Sequence, residues 1–235
     1  MENFSEVIDK NEENRKRILA EFIMSGVRIP CTDGVIISEE AEIEASAVIL
    51  SNTQICGKTK ISANAVIGPN SIVEDCVIGE NVKINSSHCY QSEIENGAEI
   101  GPFVRIRPEC TVGENARIGN FVELKNAVVK KGAKISHLSY IGDSEVGEEV
   151  NIGCGCATVN FDGRNKNRTV ICDGAFIGCG VNLVAPVKVG KDAFVAAGST
   201  VTEDVPENAL AIARLRQENK KDWVIKKKPY KRMKK

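Results

Sequence analysis

Two basic residues of this 235-residue chain are spaced in a way that bears on chemistry. Arg107 and Lys125 lie 18 residues apart, in a stretch where aliphatic residues recur every six positions. If three such repeats make one turn of a coil, the two residues stand in register in neighbouring strands, about 4.8 Å apart. Two cations at that distance repel each other. The spacing therefore indicates either an anion between or beside them, with a phosphate as the natural candidate, or side chains that are solvated or paired with a carboxylate such as Glu123.

The chain has two histidines, His88 and His137, and histidine is the side chain best suited to proton transfer near neutral pH. A single histidine is more often structural than catalytic, so its surroundings decide its role. Counting through intervals of six, five and six residues places Cys154 one coil beyond His137, and the nearby Tyr140 and Asn151 are hydrogen-bonding groups. His137 is accordingly the candidate for acid–base chemistry.

The elements that position these residues come from an internal repeat of aliphatic residues. Its first run has six consecutive intervals of six, formed by Ile37, Ile43, Ile49, Ile55, Ile61, Ile67 and Val73. A period of six fits neither a helical face nor a plain strand. It fits a short strand followed by a turn, three of which close one coil of a hexapeptide β-helix. We predict an all-β solenoid of about nine coils between residues 37 and 205, in which the glycines that follow the aliphatics supply positive φ at the turns.

Composition supports this fold class. The chain has 25 Ile and 25 Val against seven Leu, and β-branched residues fit pleated strands better than helices. Residues 1–30 have helical spacing of apolar residues, which predicts an N-terminal amphipathic helix and lead-in that cap the first coil. Residues 31–206 are the β-helix, with a polar loop at 159–170 that is expected to protrude. Residues 207–235 are expected to be a short helical segment, Glu207–Asn219, followed by a basic tail.

The net charge of −1 conceals a split between an acidic body and this tail. Lys220–Lys235 carries a charge of +8 and the rest of the chain carries −9. An acidic fold with a short basic tail is unlike a nucleic-acid-binding domain, in which basic residues form a face of the fold. We interpret the tail either as solvated or as docking onto an acidic surface of a neighbouring chain.

Other features exclude whole classes of protein. No stretch approaches the roughly 18 apolar residues of a membrane span, and the N-terminus lacks the basic and apolar parts of a signal peptide. The nine cysteines are odd in number and scattered, and their single close pair, Cys154 and Cys156, has poor zinc-ligand spacing. We therefore expect a cytoplasmic protein that binds no metal, no membrane and no nucleic acid.

Six short motifs occur in the same order as in one known family. They are Gly101–Pro108, Gly119–Lys125, Ser136–Asp143, Asn151–Gly155, Val159–Lys166 and Leu183–Val187. Over about residues 15–225 the chain resembles the acetyltransferase half of the bifunctional N-acetylglucosamine-1-phosphate uridyltransferase / glucosamine-1-phosphate acetyltransferase family of hexapeptide-repeat acyltransferases. The resemblance implies a left-handed parallel β-helix and a homotrimer with sites between chains. It also implies acetyl transfer from acetyl-CoA to the amine of glucosamine-1-phosphate, on the route to UDP-N-acetylglucosamine and cell-wall peptidoglycan.

The resemblance also implies roles for residues that match family motifs. His137 matches the general base that deprotonates the attacking amine, and a backbone N–H near Cys154 or Gly155 is the candidate donor to the oxyanion. The groups that hold the phosphorylated sugar are matched by Arg107, Lys125 and Lys166 for the phosphate, and by Tyr140 and Asn151 for the sugar. The acetyl-CoA positions are matched by Cys154, Asn160, Phe161, Cys179, Ala197 and Arg214.

Several positions depart from the family pattern. Phe161 stands where the family usually has tyrosine, and Cys154, Cys156 and Cys179 stand where small residues are expected. A thiolate acyl-enzyme on Cys154 is an alternative to direct transfer, which needs no nucleophile. No glycine-rich nucleotidyltransferase motif precedes residue 37. We therefore expect no uridyltransferase activity in this chain. Two explanations stay open: a separate partner chain supplies that activity, or another gene makes this chain redundant.

Two other functions stay open at this point. One is acetyl transfer to a different amino sugar, including a nucleotide-linked one. The other is a trimeric β-helix scaffold without activity, against which the retention of His137 and Asn160 argues. A γ-type carbonic anhydrase is disfavoured, because its zinc needs three histidines and the chain has two.

Overall fold

The six-residue repeat folds into short parallel strands that wrap around three faces of a left-handed β-helix with about ten turns. The computed structural model describes residues 4–227. Strands on each face pair only with the strands of the coils before and after them, for example Ile37 with Ile55 and Ile55 with Val73. The predicted fold class is therefore confirmed.

The strands of each face are named here by their bounds. The first face holds Ile36–Ile37, Gln54–Cys56, Ile72–Glu74, His88–Tyr90, Arg105–Ile106, Ala157–Val159, Asn182–Val184 and Thr200–Val201. The second face holds Glu42–Ile43, Lys60–Ile61, Val77–Ile78, Glu93–Ile94, Thr111–Val112, Thr169–Ile171 and Val187–Val189. Two longer strands, Glu123–Val129 and Tyr140–Val146, run across the corner and belong to both. The third face holds Val48–Ile49, Val66–Ile67, Lys83–Ile84, Glu99–Ile100, Arg117–Asn120, Lys134–His137, Asn151–Ile152, Phe176–Ile177, Phe194–Val195 and Leu210–Ala211.

The core is the stack of aliphatic side chains that these strands direct inward. Ile55, Ile106 and Ile135, one each from different coils, have no exposed surface. The residue that precedes each inward-pointing aliphatic residue points outward. In the strand Val77–Ile78, Val77 is half-exposed and Ile78 is fully buried. Burying one such side chain contributes about 1.5–3 kcal/mol. The repeat therefore both shapes the prism and supplies its main stabilisation.

The expectation that glycines after the inward aliphatics provide positive φ is wrong for most of them. Among those glycines only Gly68 and Gly101 have positive φ. At Gly119, which has no positive φ, an added Cβ would lie 2.0 Å from the carbonyl oxygen of Ser136 in the next coil. Positive φ falls instead within the following turn, for example at Asn81 and Asn115, since asparagine tolerates this conformation. Most of these glycines are therefore needed for the close approach of consecutive coils.

The N-terminal end of the prism is covered by helix α1, Phe4–Met24. Its Ile18 and Leu19 are buried against the first coil. The Arg15 guanidinium donates hydrogen bonds to the carbonyl oxygens of Thr32 at 3.1 Å and Val35 at 3.0 Å. The helix therefore covers strand edges that would otherwise be exposed.

The C-terminal end differs from the sequence expectation. Glu207–Asn219 is not a helix, because Leu210–Ala211 pairs with Phe194–Val195 and adds a last strand to the third face. Backbone pairing within the coil stack overrides the helical propensity of this short segment. The short C-terminal helix is α2, Trp223–Lys227. Residues 228–235, which include much of the basic tail, lie outside the described residues.

No helix within residues 4–227 is both long enough and apolar enough to cross a membrane.

Truncation of one core side chain tests this packing. We expect Ile78→Ala to lower the free energy of unfolding by about 2–5 kcal/mol, because it removes a fully buried side chain and leaves a cavity. The matched control is Val77→Ala in the same strand, whose half-exposed side chain should cost about 0.5 kcal/mol or less. Urea unfolding followed by circular dichroism measures both, and equal effects would contradict the assigned strand orientation.

Candidate active site

His137 ends the third-face strand Lys134–His137 and lies where the chain turns toward the first face. It pairs in register with Asn120 of the preceding coil, and its Nδ1 lies 3.3 Å from the Asn120 Oδ1. If that carbonyl accepts a hydrogen bond from Nδ1–H, the Nε2 atom is unprotonated and able to accept a proton. The His137 side chain is exposed, and its Nε2 has no hydrogen-bond partner within residues 4–227. This arrangement is suited to a general base.

A row of residues continues from His137 along the same corner of the prism. Lys134 pairs with Asn151 and Ile135 with Ile152, so Cys154 stands one coil beyond His137, as the spacing predicts. The next members are identified by two backbone hydrogen bonds, from Gly180 N to Cys154 O and from Gly198 N to Cys179 O, each of 2.8 Å. We call the set Asn120, His137, Cys154, Cys179 and Ala197 the corner row.

Arg214 reaches the far end of the corner row. Its Nε donates a hydrogen bond to the Ala197 carbonyl at 2.9 Å, and its side chain lies over Gly198, 3.7 Å from where a Cβ would be. Four of the predicted acetyl-CoA positions, namely Cys154, Cys179, Ala197 and Arg214, therefore lie along one line. With the exception of Arg214, their side chains are small, and all three of Cys154, Cys179 and Ala197 are exposed.

The predicted phosphate residues lie together on the first face. Arg105 and Ile106 pair with Glu123 and Leu124, which sets Arg107 opposite Lys125, as the 18-residue spacing predicts. Both cations have carboxylate partners, as the second of the two alternatives expects. Arg107 Nη1 lies 3.2 Å from Glu123 Oε1, and Lys125 Nζ lies 3.0 Å from each carboxylate oxygen of Asp143.

Lys166, which the loop 159–170 contributes, joins these two residues to form a cationic cluster of Arg107, Lys125 and Lys166. The neighbouring Lys166, followed by the hydrogen bonds to Asp143, raises the pKa of Lys125. The adjacent Lys125 lowers the pKa of Lys166, and Arg107 lowers it further. Lys166 makes no ion pair within the part of the chain that the structure describes. The cluster is thus a place where like charges meet and where an anion would relieve their repulsion.

Asp143 holds the cluster and the loop together. Its carboxylate accepts hydrogen bonds from Lys125, from Asn126 Nδ2 at 2.7 Å and from the Nδ2 of Asn160. Only 9% of its side chain is exposed, and 16% of that of Lys125. Burial alone would raise the pKa of Asp143, but the hydrogen bonds from Asn126, Lys125 and Asn160 together lower it. The carboxylate is therefore ionised and fixes the direction of the Lys125 ammonium.

The loop begins with two residues of different character. Asn160 is buried, and besides Asp143 its Nδ2 reaches the Tyr140 hydroxyl at 3.4 Å. Phe161 is exposed and forms an antiparallel backbone bridge with Lys166, which closes the loop into a short hairpin. Asp162 stabilises its tip by accepting from the backbone N–H groups of Arg164 and Asn165, at 2.8 and 2.6 Å. Asn160 thus anchors the loop, and Phe161 extends from it.

Tyr140 and Asn151, the two predicted sugar contacts, are on different faces. Tyr140 lies on the first face beside the cationic cluster, with its ring folded over Gly142. Asn151 lies on the third face between Lys134 and Phe176. Within one chain the structure therefore brings together Arg107, Lys125, Tyr140, Asn160 and Lys166, and it keeps Asn151 apart from them.

The sequence argument missed the residues that position others. Three of them are absent from the predicted site. Asn120 contacts His137, Asn126 donates to the Asp143 carboxylate, and Asp143 in turn accepts from Lys125. A signal was available, because Asp143 follows Asn126 by 17 residues, which is one coil where the repeat slips by one, and this register sets it beside Lys125.

No group of three or more His, Cys, Asp and Glu side chains placed to bind a metal ion occurs within residues 4–227. His137 is not among the lining residues of the described grooves. One of about 550 Å³ lies between α1 and the first coil, and one of about 350 Å³ lies beside Phe103 and Phe121. His137 and Lys166 are exposed on the single chain.

The short parallel strands, the six-residue period and the corner row define the class of hexapeptide-repeat left-handed β-helix proteins. Within this class the chain belongs to the family described as the GMPPB C-terminal domain, which matches residues 88–209, more than half of the chain.

Curated relatives share much more sequence with the chain. The Bifunctional protein GlmU of Geobacillus sp. (strain WCH70) is 55% identical over 210 residues, which are 89% of this chain and 46% of that protein. The Bifunctional protein GlmU of Shouchella clausii is 50% identical over 212 residues, which are 90% and 47% of the two chains. The chain thus spans about half the length of these relatives. The resemblance described above is confirmed by these matches.

A solved structure to which the chain is similar is more distant in sequence. The UDP-N-acetylglucosamine acyltransferase of Francisella novicida has a TM-score of 0.46 and 23% identity, over 79% of this chain and 66% of that one.

Neutralising Asp143 tests whether its carboxylate is held ionised. Because the pKa of Asp143 is lowered on folding, the ionised form stabilises the fold above the pKa of the unfolded chain. That contribution is lost as the pH falls from about 4 through the lower folded value. We expect the free energy of unfolding to fall less for Asp143→Asn than for the wild type between about pH 5 and pH 3, as measured by urea unfolding. The same loss in both proteins would contradict the assignment.

Proposed function

We propose that the protein transfers the acetyl group of acetyl-CoA to the amine of glucosamine-1-phosphate, which gives N-acetylglucosamine-1-phosphate and CoA. The observation that carries this proposal is the geometry of His137, whose Nδ1 lies 3.3 Å from Asn120 Oδ1 while Nε2 has no hydrogen-bond partner among the described residues. The proposal is also supported by the cationic cluster on the adjoining face and by the relatives named Bifunctional protein GlmU.

The proposed reaction is a direct transfer. The sugar amine attacks the thioester carbonyl, a C–N bond forms, and Nε2 of His137 takes the amine proton. The C–S bond then breaks, and the leaving thiolate takes that proton from His137. An acyl-enzyme on Cys154 is not needed, because each proton has a donor and an acceptor without it.

The tetrahedral intermediate needs a hydrogen-bond donor for its oxyanion. Of the two backbone groups considered, Gly155 N–H already donates to the Leu138 carbonyl at 2.8 Å. The Cys154 N–H has no such partner within residues 4–227, and it lies one coil from His137. We therefore assign the oxyanion donor to the Cys154 N–H.

The cationic cluster is the proposed binding site for the phosphate of the sugar. Glu123, the partner of Arg107, is exposed, and exposed ion pairs are weak, so a phosphate can replace it. Lys125 is different, since buried Asp143 keeps its ammonium charged and in place. The lowered pKa of Lys166 reflects its like-charged neighbours, and a bound dianion would reverse that effect.

Acetyl-CoA is proposed to lie along the corner row, with its thioester near His137. Cys154, Cys179 and Ala197 offer small side chains along this path, and Arg214 ends it with a guanidinium whose Nη atoms are available to a phosphate. Asn160 and Phe161 would contact the acyl donor from the loop, although Asn160 also has a structural task at Asp143. Phenylalanine at position 161 provides apolar contact without a hydroxyl donor.

We infer that the site is completed between copies of the chain in a homotrimer. Asn151 stands on a different face from the cationic cluster, so one chain alone does not assemble all of the predicted sugar contacts. Phe103 and Phe121 are stacked with centroids 5.6 Å apart, and with Leu138 they form an exposed apolar ridge next to the corner row. Contiguous exposed apolar surface of this kind favours a protein–protein contact.

Removal of the proposed general base tests the reaction. We expect His137→Ala to lower kcat by about 100- to 10,000-fold, because the amine would lose its proton acceptor. A thiol-release assay with acetyl-CoA and glucosamine-1-phosphate measures this. The control is His88→Ala, which removes the other, also exposed, histidine and should leave the rate unchanged.

The same assay separates the proposed function from its alternatives. A panel of amino sugars, including nucleotide-linked ones, is compared under identical conditions. Preference for another amino sugar would favour that acceptor over glucosamine-1-phosphate. Absence of CoA release with every acceptor, from protein shown to be folded by circular dichroism, would contradict the proposal and favour a scaffold.

Two lysine variants test the phosphate site. We expect Lys125→Ala and Lys166→Ala each to raise KM for glucosamine-1-phosphate by about tenfold or more, with a smaller effect on kcat, because each removes a charged hydrogen bond to the phosphate. Lys125→Ala also leaves buried Asp143 without its cation and should lower the melting temperature. Lys166→Ala has no such effect, so it isolates the substrate interaction. An unchanged KM in Lys166→Ala would contradict the phosphate assignment.

A further inference from the structure

Cys154 and Cys179 are two exposed thiols that face each other across consecutive coils of the corner row. Asn151 and Ile152 pair with Phe176 and Ile177, and two residues further along, this register sets Cys154 opposite Cys179. The Gly180 N–H that donates to the Cys154 carbonyl at 2.8 Å confirms the pairing at this position.

The spacing of paired strands is compatible with a bond between the two sulfur atoms. Residues opposite each other in neighbouring strands have Cα atoms about 4.8 Å apart, and disulfides span Cα distances of about 4.4–6.8 Å. Because the side chains of paired residues run parallel, their Cβ atoms also lie about 4.8 Å apart, beyond the roughly 3.5–4.5 Å of an unstrained disulfide. Strained, exposed disulfides are readily reduced. A bond at this position would therefore be reversible.

A third thiol, Cys156, lies beneath this pair but differs in its surroundings. Its Sγ donates a hydrogen bond to the Gly178 carbonyl at 3.1 Å, and the residue is buried. Burial raises the pKa of Cys156, and the nearby Cys179 and Cys154 raise it further. Cys156 is thus held as a thiol, whereas the two exposed cysteines are free to react.

The neighbours of the exposed pair favour thiol chemistry. His137 precedes Cys154 in the corner row and is a base that can take a thiol proton. The Arg214 guanidinium lies one coil beyond Cys179, where its Nε donates to the Ala197 carbonyl. Cys154 and Cys179 therefore differ from the remaining cysteines in three ways. Both are exposed, they stand opposite each other in consecutive coils, and they lie between His137 and Arg214.

We propose that Cys154 and Cys179 form a reversible intrachain disulfide, and that this bond closes the corner row to acetyl-CoA. In the step, two S–H bonds break and one S–S bond forms. The two electrons and two protons pass to an oxidant such as an azo compound, whose N=N bond becomes a hydrazine. The second half of the proposal rests on the proposed function, because the corner row is the path assigned to acetyl-CoA.

Mass spectrometry tests the bond without reference to activity. The purified protein is treated with the azo oxidant diamide, free thiols are alkylated, and the intact chain and its peptides are weighed. We expect a loss of two hydrogen atoms and a peptide that joins Cys154 to Cys179. Both should be absent in Cys154→Ala and in Cys179→Ser and present in the matched control Cys31→Ser, which removes another exposed cysteine. An unchanged mass, a bond between chains or a bond to any other cysteine would overturn the proposal.

Calorimetric titration with acetyl-CoA tests the consequence. We expect oxidised wild type to bind acetyl-CoA about tenfold more weakly or not at all, and dithiothreitol to restore binding. In Cys179→Ser, oxidised and reduced samples should bind alike, whatever their absolute affinity. Unchanged binding by fully cross-linked wild type would overturn the closure of the corner row. Absence of binding by the reduced wild type would contradict the proposed function instead, while the mass result would still stand by itself.

Discussion

The pairing of each coil with the next is the constraint on which the rest of this molecule depends. Parallel strands in register place residues of consecutive coils about 4.8 Å apart, and the chain repeats this relation through about ten turns. Two chemical groups far apart in sequence therefore meet when their separation equals one coil. Arg107 meets Lys125 in this way, Asn120 meets His137, and Cys154 meets Cys179. The candidate site is a consequence of that register.

The same closeness restricts which residues are tolerated. Where a carbonyl of one coil approaches the next, as Ser136 approaches Gly119, there is no space for a Cβ, and glycine is required whatever its φ. Inside the prism, aliphatic side chains fill the stack with little room for aromatic rings. This explains why exposed aromatic rings stack on the outer surface in two pairs, Phe103 with Phe121 and Phe176 with Phe194.

One group departs from the pattern of neutral interior and charged exterior. Asp143 is almost buried and negatively charged, and a buried charge is costly unless it is paired and hydrogen-bonded. Lys125, Asn126 and Asn160 supply those partners from three positions in the chain. Through these hydrogen bonds, Asp143 links Lys125 of the cationic cluster to Asn160, which begins the loop that carries Phe161 and Lys166. A rigid prism thereby fixes the direction of a charged side chain at an otherwise open surface.

The sequence by itself determined the fold and the register. A period of six separates inward from outward residues, and a spacing of 18, or of 17 where the repeat slips by one, identifies which side chains are neighbours, so Arg107, Lys125, His137 and Cys154 could be placed by counting. Tertiary structure alone decided the rest. The path of the loop back to Asp143 and the last strand at Leu210–Ala211 depend on contacts of segments outside the regular six-residue repeat. The physical reason is that periodicity fixes neighbours only along the stack, whereas burial and partner choice depend on which surfaces meet in three dimensions.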